Sequence, residues 1–189
     1  MINDRRALKK IEQQLNAEMY KQIQIMYAAS SVIWWQEYGW RKTRIMRRFQ
    51  TTTEAWDECN EWGVKKSMLQ MLEEETGIEM QLSGYDRSYH EFSYLDGDAW
   101  DGKLLTLPQT IYMHQQQKKW LAPLILACIC LSLHRDEHWG TDRIAKFISQ
   151  VDAMRQEYGE RPDRFRKLME EVTDLPVDDI LGGHHGKNM

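Results

Sequence analysis

Residues 133–144 read LHRDEHWGTDRI, and 99 positions earlier residues 34–45 read WWQEYGWRKTRI. Both stretches close an apolar run with an acidic residue, pass through a Trp, and open the next segment on Arg-Ile. The same shift of 99 pairs Ala28 with Ala127, Glu37 with Asp136, Trp40 with Trp139 and Arg44 with Arg143. It also pairs Ile45 with Ile144, Arg47 with Lys146 and Phe49 with Ile148. Beyond that point a two-residue deletion changes the shift to 97, and Glu73-Glu74-x-Thr76 meets Glu170-Glu171-x-Thr173. Met68, Met71, Leu72 and Ile78 then meet Phe165, Leu168, Met169 and Leu175. The preserved order predicts an internal duplication of a unit of about 50 residues, 27–78 and 126–175.

Each copy reads as three helices. Met19, Ile23, Met26, Tyr27, Ile33 and Trp34 recur at helical spacing in the first. No proline precedes residue 108, so one long helix from about residue 4 to 37 is expected, ending near Gly39. A second runs from about Arg41 to Gly63. A third carries Val64, Met68 and Leu72 and stops before Gly77. In the second copy an apolar helix is expected from about Pro123 to His138, a second from Asp142 to Tyr158, and a third opening on Pro162. Between the copies, residues 81–107 lose the helical stripe and are punctuated by Gly, Asp, Ser and Tyr. They predict a long loop or a short β-hairpin. The fold class is therefore mainly α: two similar three-helix units with a central insert. The boundaries are 1–80, an acidic aromatic insert over 81–117, 118–178, and a flexible tail over 179–189.

The 189 residues suffice for a sizeable core, and 42% of them are apolar. Mean hydropathy is −0.68, and the longest apolar stretch, Trp120 to Leu133, is interrupted by Pro123 and too short to span a bilayer. The N-terminus has no apolar signal core. Three cysteines, Cys59, Cys128 and Cys130, make no disulfide framework, which suits a reducing cytoplasm. The net charge of −4 argues against binding by bulk positive charge. By segment the charge is uneven: +1 over 1–78, −4 over 79–117 and −1 over 118–189. The acidity belongs to the insert.

Two patches could bind a partner. At the start of the second helix, Arg41, Lys42, Arg44, Arg47 and Arg48 form a basic run. Arg41, Arg44 and Arg48 share one helical face, while Ile45 and Phe49 look inward. Arginine forks take phosphate or carboxylate, so nucleic acid or an acidic partner fits this face. In the insert, Tyr85, Asp86, Tyr89, Tyr94, Asp96, Asp98, Trp100 and Asp101 alternate aromatic rings with carboxylates, as protein-binding loops do. Either patch could instead be a solvated or folded-back surface.

Enzyme chemistry has weaker support. His134 and His138 are four apart, but Arg135 follows His134 where a zincin needs Glu. Asp96, Asp98 and Asp101 miss the spacing of a calcium loop by one. No Walker loop, dinucleotide glycine fingerprint, Gly-x-Ser-x-Gly or thiol-enzyme Cys-His pairing occurs. No cofactor and no metal site is expected.

The turn stretches quoted above resemble a Leu-His-x-Glu-Phe-Gly-Phe-Gly-x-x-Arg-Leu pattern of small helical proteins encoded by phages and prophages of Gram-positive gut bacteria. The first copy departs from it at Trp35 and Arg41, the second at Glu137 and His138. The resemblance implies an origin in a mobile element. It implies further a non-enzymatic protein that binds a host protein or ribonucleoprotein stoichiometrically, as anti-CRISPR inhibitors of defence nucleases do, in the bacterial cytoplasm. On this reading the insert makes the contact. The residues leave open a nucleic-acid-binding phage regulator using the basic run, an enzyme with an unrecognised site, and a homodimer.

Overall fold

The absence of early proline has the expected result, a 37-residue opening helix, α1, spanning Ile2–Tyr38. The computed structural model describes residues 2–61, 68–85 and 107–181. Among them α1 is followed by α2 (Lys42–Glu61), α3 (Met68–Thr76), α4 (Leu107–Glu137), α5 (Thr141–Tyr158), α6 (Pro162–Val172) and α7 (Val177–Leu181), with no strand.

The two turns that carry the sequence likeness are built from the same hydrogen bonds. After α1, Gly39 adopts φ 64° and the Trp40 N–H donates to the Trp34 carbonyl at 2.9 Å. After α4, His138 adopts φ 54° and the Trp139 N–H donates to the Leu133 carbonyl at 3.2 Å. A left-handed residue at this place lets the chain reverse while orphan helix carbonyls find donors. The Arg41 carbonyl then accepts from Arg44 and Ile45, as the Gly140 carbonyl accepts from Arg143 and Ile144. The ends of α3 and α6 match as well. The Thr76 hydroxyl donates to the Leu72 carbonyl at 2.6 Å and accepts from the Ile78 N–H at 3.2 Å. The Thr173 hydroxyl donates to Met169 at 2.8 Å and accepts from Leu175 at 3.2 Å.

Packing crosses between the halves. α1 lies chiefly against α4, and each then takes helices from the other half: α6 and α5 on α1, α3 and α2 on α4. Small residues occupy the fully buried stretch of both central helices, Ala28 and Ala29 in α1, Ala127 and Cys128 in α4, where close approach needs little side-chain volume. One buried apolar cluster draws on all seven helices. Trp34 is fully buried in it, with the Phe147 ring stacked 5.8 Å away at an interplanar angle of 4°. Truncating such a ring to Ala typically costs about 3–5 kcal/mol.

Three expectations need correction. α4 begins at Leu107, so residues 107–117, assigned to the insert, are helical. Pro108 falls in the first turn, where its missing N–H costs nothing, and the Gln-, Lys- and Met-containing run behind it consists largely of good helix formers. Pro123 lies inside the helix instead of opening it; its buried position lets packing offset the lost hydrogen bond. Residues 179–181, assigned to the tail, belong to the short α7, in which Val177 and Ile180 are buried and which packs on α1 and α6. The expected loop or hairpin falls mostly on residues 86–106, outside the described residues.

Candidate nucleic-acid interface

The first turn of α2 holds no acidic residue, although the partial positive charge of a helix start favours one. Arg41, Lys42, Arg44 and Arg47 are exposed there, while Ile45 and Phe49 are buried as the helical period requires.

Arg48 departs from the expected face. It is 1% exposed, and its guanidinium is spent within the fold. Nη1 donates to the Ser132 carbonyl at 3.1 Å and to Asp136 at 2.5 Å, and Nη2 to Glu137 at 2.8 Å. Its backbone carbonyl accepts from the Thr52 hydroxyl, which also meets the Ser132 hydroxyl at 3.1 Å. This arginine clamps α2 to α4 and is not available to phosphate. Arg44 stands at the rim of the same cluster, 2.5 Å from Glu137. Burial alone would raise the Glu137 pKa, but the hydrogen bonds and charges of Arg44 and Arg48 hold it below the ordinary carboxylate value. Asp136 and Glu137 sit unfavourably at a helix C-terminus, and Arg44 and Arg48 lie near a helix N-terminus. Each pair compensates the other's misplacement.

Aromatic rings underlie the exposed cations. The Arg44 guanidinium lies 4.1 Å from the Trp40 ring centroid. Arg143 lies 4.1 Å from the Trp139 centroid and 4.7 Å from that of Tyr38. Arg41 lies 4.4 Å from the Trp35 centroid. Trp40 and Trp139 meet edge to face with centroids 5.8 Å apart, so the starts of α2 and α5 adjoin. Lys146 on α5 reaches Glu37 of α1 at 3.7 Å, with both side chains largely exposed. The exposed cations Arg41, Lys42, Arg44, Arg47, Arg143 and Lys146 share this region with Glu37, Glu137 and Asp142, of which Glu37 pairs with Lys146 and Glu137 with Arg44.

Of the insert residues expected to bind a partner, Tyr85 alone is described. Its hydroxyl donates to Glu160 at 3.2 Å, and the Arg155 guanidinium lies 5.0 Å from its ring centroid. Burial pushes its hydroxyl pKa up. Asp86, Tyr89, Tyr94, Asp96, Asp98, Trp100 and Asp101 lie outside the described residues. The sequence reading missed the cluster that holds the insert's root. Arg155, 6% exposed, donates to Glu160 at 2.8 Å and Asp152 at 3.3 Å. Asp152 in turn accepts from the Ser83 N–H at 3.0 Å and hydroxyl at 2.6 Å. Spacing gave no signal for it, because its members come from two distant segments.

His134 Nδ1 lies 2.9 Å from the Trp139 carbonyl, while His138 is the left-handed turn residue. Cys128 and Cys130 are buried thiols, and burial pushes the Cys130 pKa up, away from a reactive thiolate. No group of three potential metal ligands occurs among the described residues, and no described helix is long and apolar enough to cross a membrane. The chain matches no known family model, no curated protein and no solved structure.

Proposed function

We propose that this is a binding protein, and that it binds nucleic acid through the exposed cations at the adjoining starts of α2 and α5. The observation that carries this reading is the start of α2, where Arg41, Lys42 and Arg47 stand exposed and the first turn holds no acidic residue, while Arg44 is paired with Glu137. A helix start opposes cations; Glu137 compensates Arg44, and an anionic partner would do the same for Arg41 and Lys42. The neighbouring buried charges, by contrast, are used within the fold.

The reading extends to origin. The two halves are copies of one ancestral unit, and the fold is a fused, helix-exchanged pair of them. The matched turn bonds and the crossing of α3 and α6 support this. A phage-borne protein of this kind, in the cytoplasm of a bacterial host, would act as a regulator or as a stoichiometric inhibitor of a nucleic-acid-guided nuclease.

A second reading is favoured by one observation. Ser83 and Tyr85 fasten the root of the acidic aromatic insert to α5 and Glu160, as a protein-binding loop needs. The two are separated by Arg41→Glu combined with Arg47→Glu. The nucleic-acid reading expects at least a tenfold loss of oligonucleotide binding with the melting temperature unchanged. Undiminished binding would reject it.

A further inference from the structure

We infer that this face takes single-stranded nucleic acid in preference to duplex, by stacking bases on guanidinium groups already laid against aromatic rings. The inference rests on the nucleic-acid reading above and names the form of the ligand.

The geometry is repeated around the two turns. Arg143 lies over both Trp139 and Tyr38, Arg44 over Trp40, and Arg41 over Trp35, at 4.1 to 4.7 Å from the ring centroids. All three arginines are exposed. An exposed guanidinium held beside a ring can take a second flat group on the side open to solvent. A nucleobase suits that place, since bases stack on arginine planes as well as on aromatic rings. Holding the side chain beforehand reduces the rotamer freedom lost on binding. Lys42 and Arg47, exposed on the same first turns of α2, would meet the backbone phosphates of the strand.

Duplex cannot use these platforms. Its base faces are covered by neighbouring bases, so it offers this face only phosphates and groove edges. A simple cationic patch would favour duplex, whose charge density is higher. Strand form is therefore a direct readout of whether the arginine planes or only their charges are used.

The test titrates the full chain with fluorescein-labelled oligonucleotides of about 20 nucleotides and mixed sequence, as single strand and as duplex, read by anisotropy. Arg143→Lys keeps the charge and removes the plane. Arg143 is the variant of choice because it is exposed, and lysine keeps its charge beside the buried Trp139 and half-buried Tyr38. We expect the single strand to bind about tenfold tighter than the duplex. We expect Arg143→Lys to lose about tenfold on the single strand while the duplex changes by less than about twofold. Equal or tighter duplex binding, or an equal loss on both forms, overturns the inference and leaves the broader reading standing. Binding of neither form overturns both. Circular dichroism of the variant establishes that its fold is kept.

Discussion

Trp40 and Trp139 occupy equivalent places after α1 and α4, and their rings meet edge to face 5.8 Å apart. Each donates its backbone N–H six residues back and carries an arginine on its ring, at 4.1 Å in both cases. One contact thus joins two turns that the sequence separates by 99 residues. It brings two helix starts together, and with them the exposed cations. Equivalence is not identity: Arg44 meets Glu137, whereas Arg143 meets the Tyr38 ring at the corresponding position.

The left-handed turn residues differ between the halves, which predicts opposite outcomes. A Cβ added at Gly39 meets no atom within 4 Å, so Gly39→Ala pays only the conformational cost of positive φ, about 1 kcal/mol. His138 already bears that cost, and His138→Gly should stabilise by up to about 1 kcal/mol. Chemical denaturation of the two variants checks both signs.

Arg48 and Arg47 are neighbours with different tasks. Arg48→Ala leaves Asp136 and Glu137 without their buried partner and should destabilise the fold by about 3 kcal/mol. Arg48→Met, which refills the space, should cost less. Arg47→Ala should shift stability by no more than about 0.5 kcal/mol, because the side chain is exposed. Denaturant midpoints of the three variants decide this.

Three carboxyls predict acid sensitivity. The Glu75 pKa is lowered first by its hydrogen bond from Arg135. Burial would raise those of Glu137 and Glu160, but their arginine partners lower both. Folded values below the ordinary 4.5 mean that these groups contribute stability above that pH and lose it as pH falls through the folded values. Melting temperature should therefore decline below about pH 4.5, and Glu137→Gln should weaken the decline. A flat profile down to pH 3 would contradict the ion-pair account.

Packing across the two halves predicts a single unfolding transition. Since α6 lies on α1 and α3 on α4, the two halves share one core. Far-ultraviolet circular dichroism and tryptophan fluorescence should give coincident denaturant curves. Two separated transitions would show independently folding units.

The helices were legible because their signals are local. Gly39, Gly140 and Pro162 mark boundaries by backbone chemistry alone, and the stripe from Phe165 to Val172 follows the 3.6-residue period. The start of α4 was hidden, since QTIYMHQQQKKW carries no strong apolar stripe while the dense run after Pro123 drew the boundary to itself. The basic run was visible, but not the inward turn of Arg48. Its place depends on the Ser132 carbonyl and on Asp136 and Glu137, which the fold brings from more than 80 positions away. The clusters around Arg48 and Arg155 are tertiary in origin, and no spacing within either segment announces them.

The central claim is that Lys42 and Arg47 meet phosphates. The most direct measurement is the salt dependence of single-strand affinity for the parent chain and for the double alanine variant. Each lost phosphate contact on a single strand removes about 0.7 from the slope of log affinity against log salt. The slope should therefore become shallower by about 1.4, and affinity at low salt should fall. Parallel lines of equal slope would show that these two cations do not touch the nucleic acid, and would contradict the account.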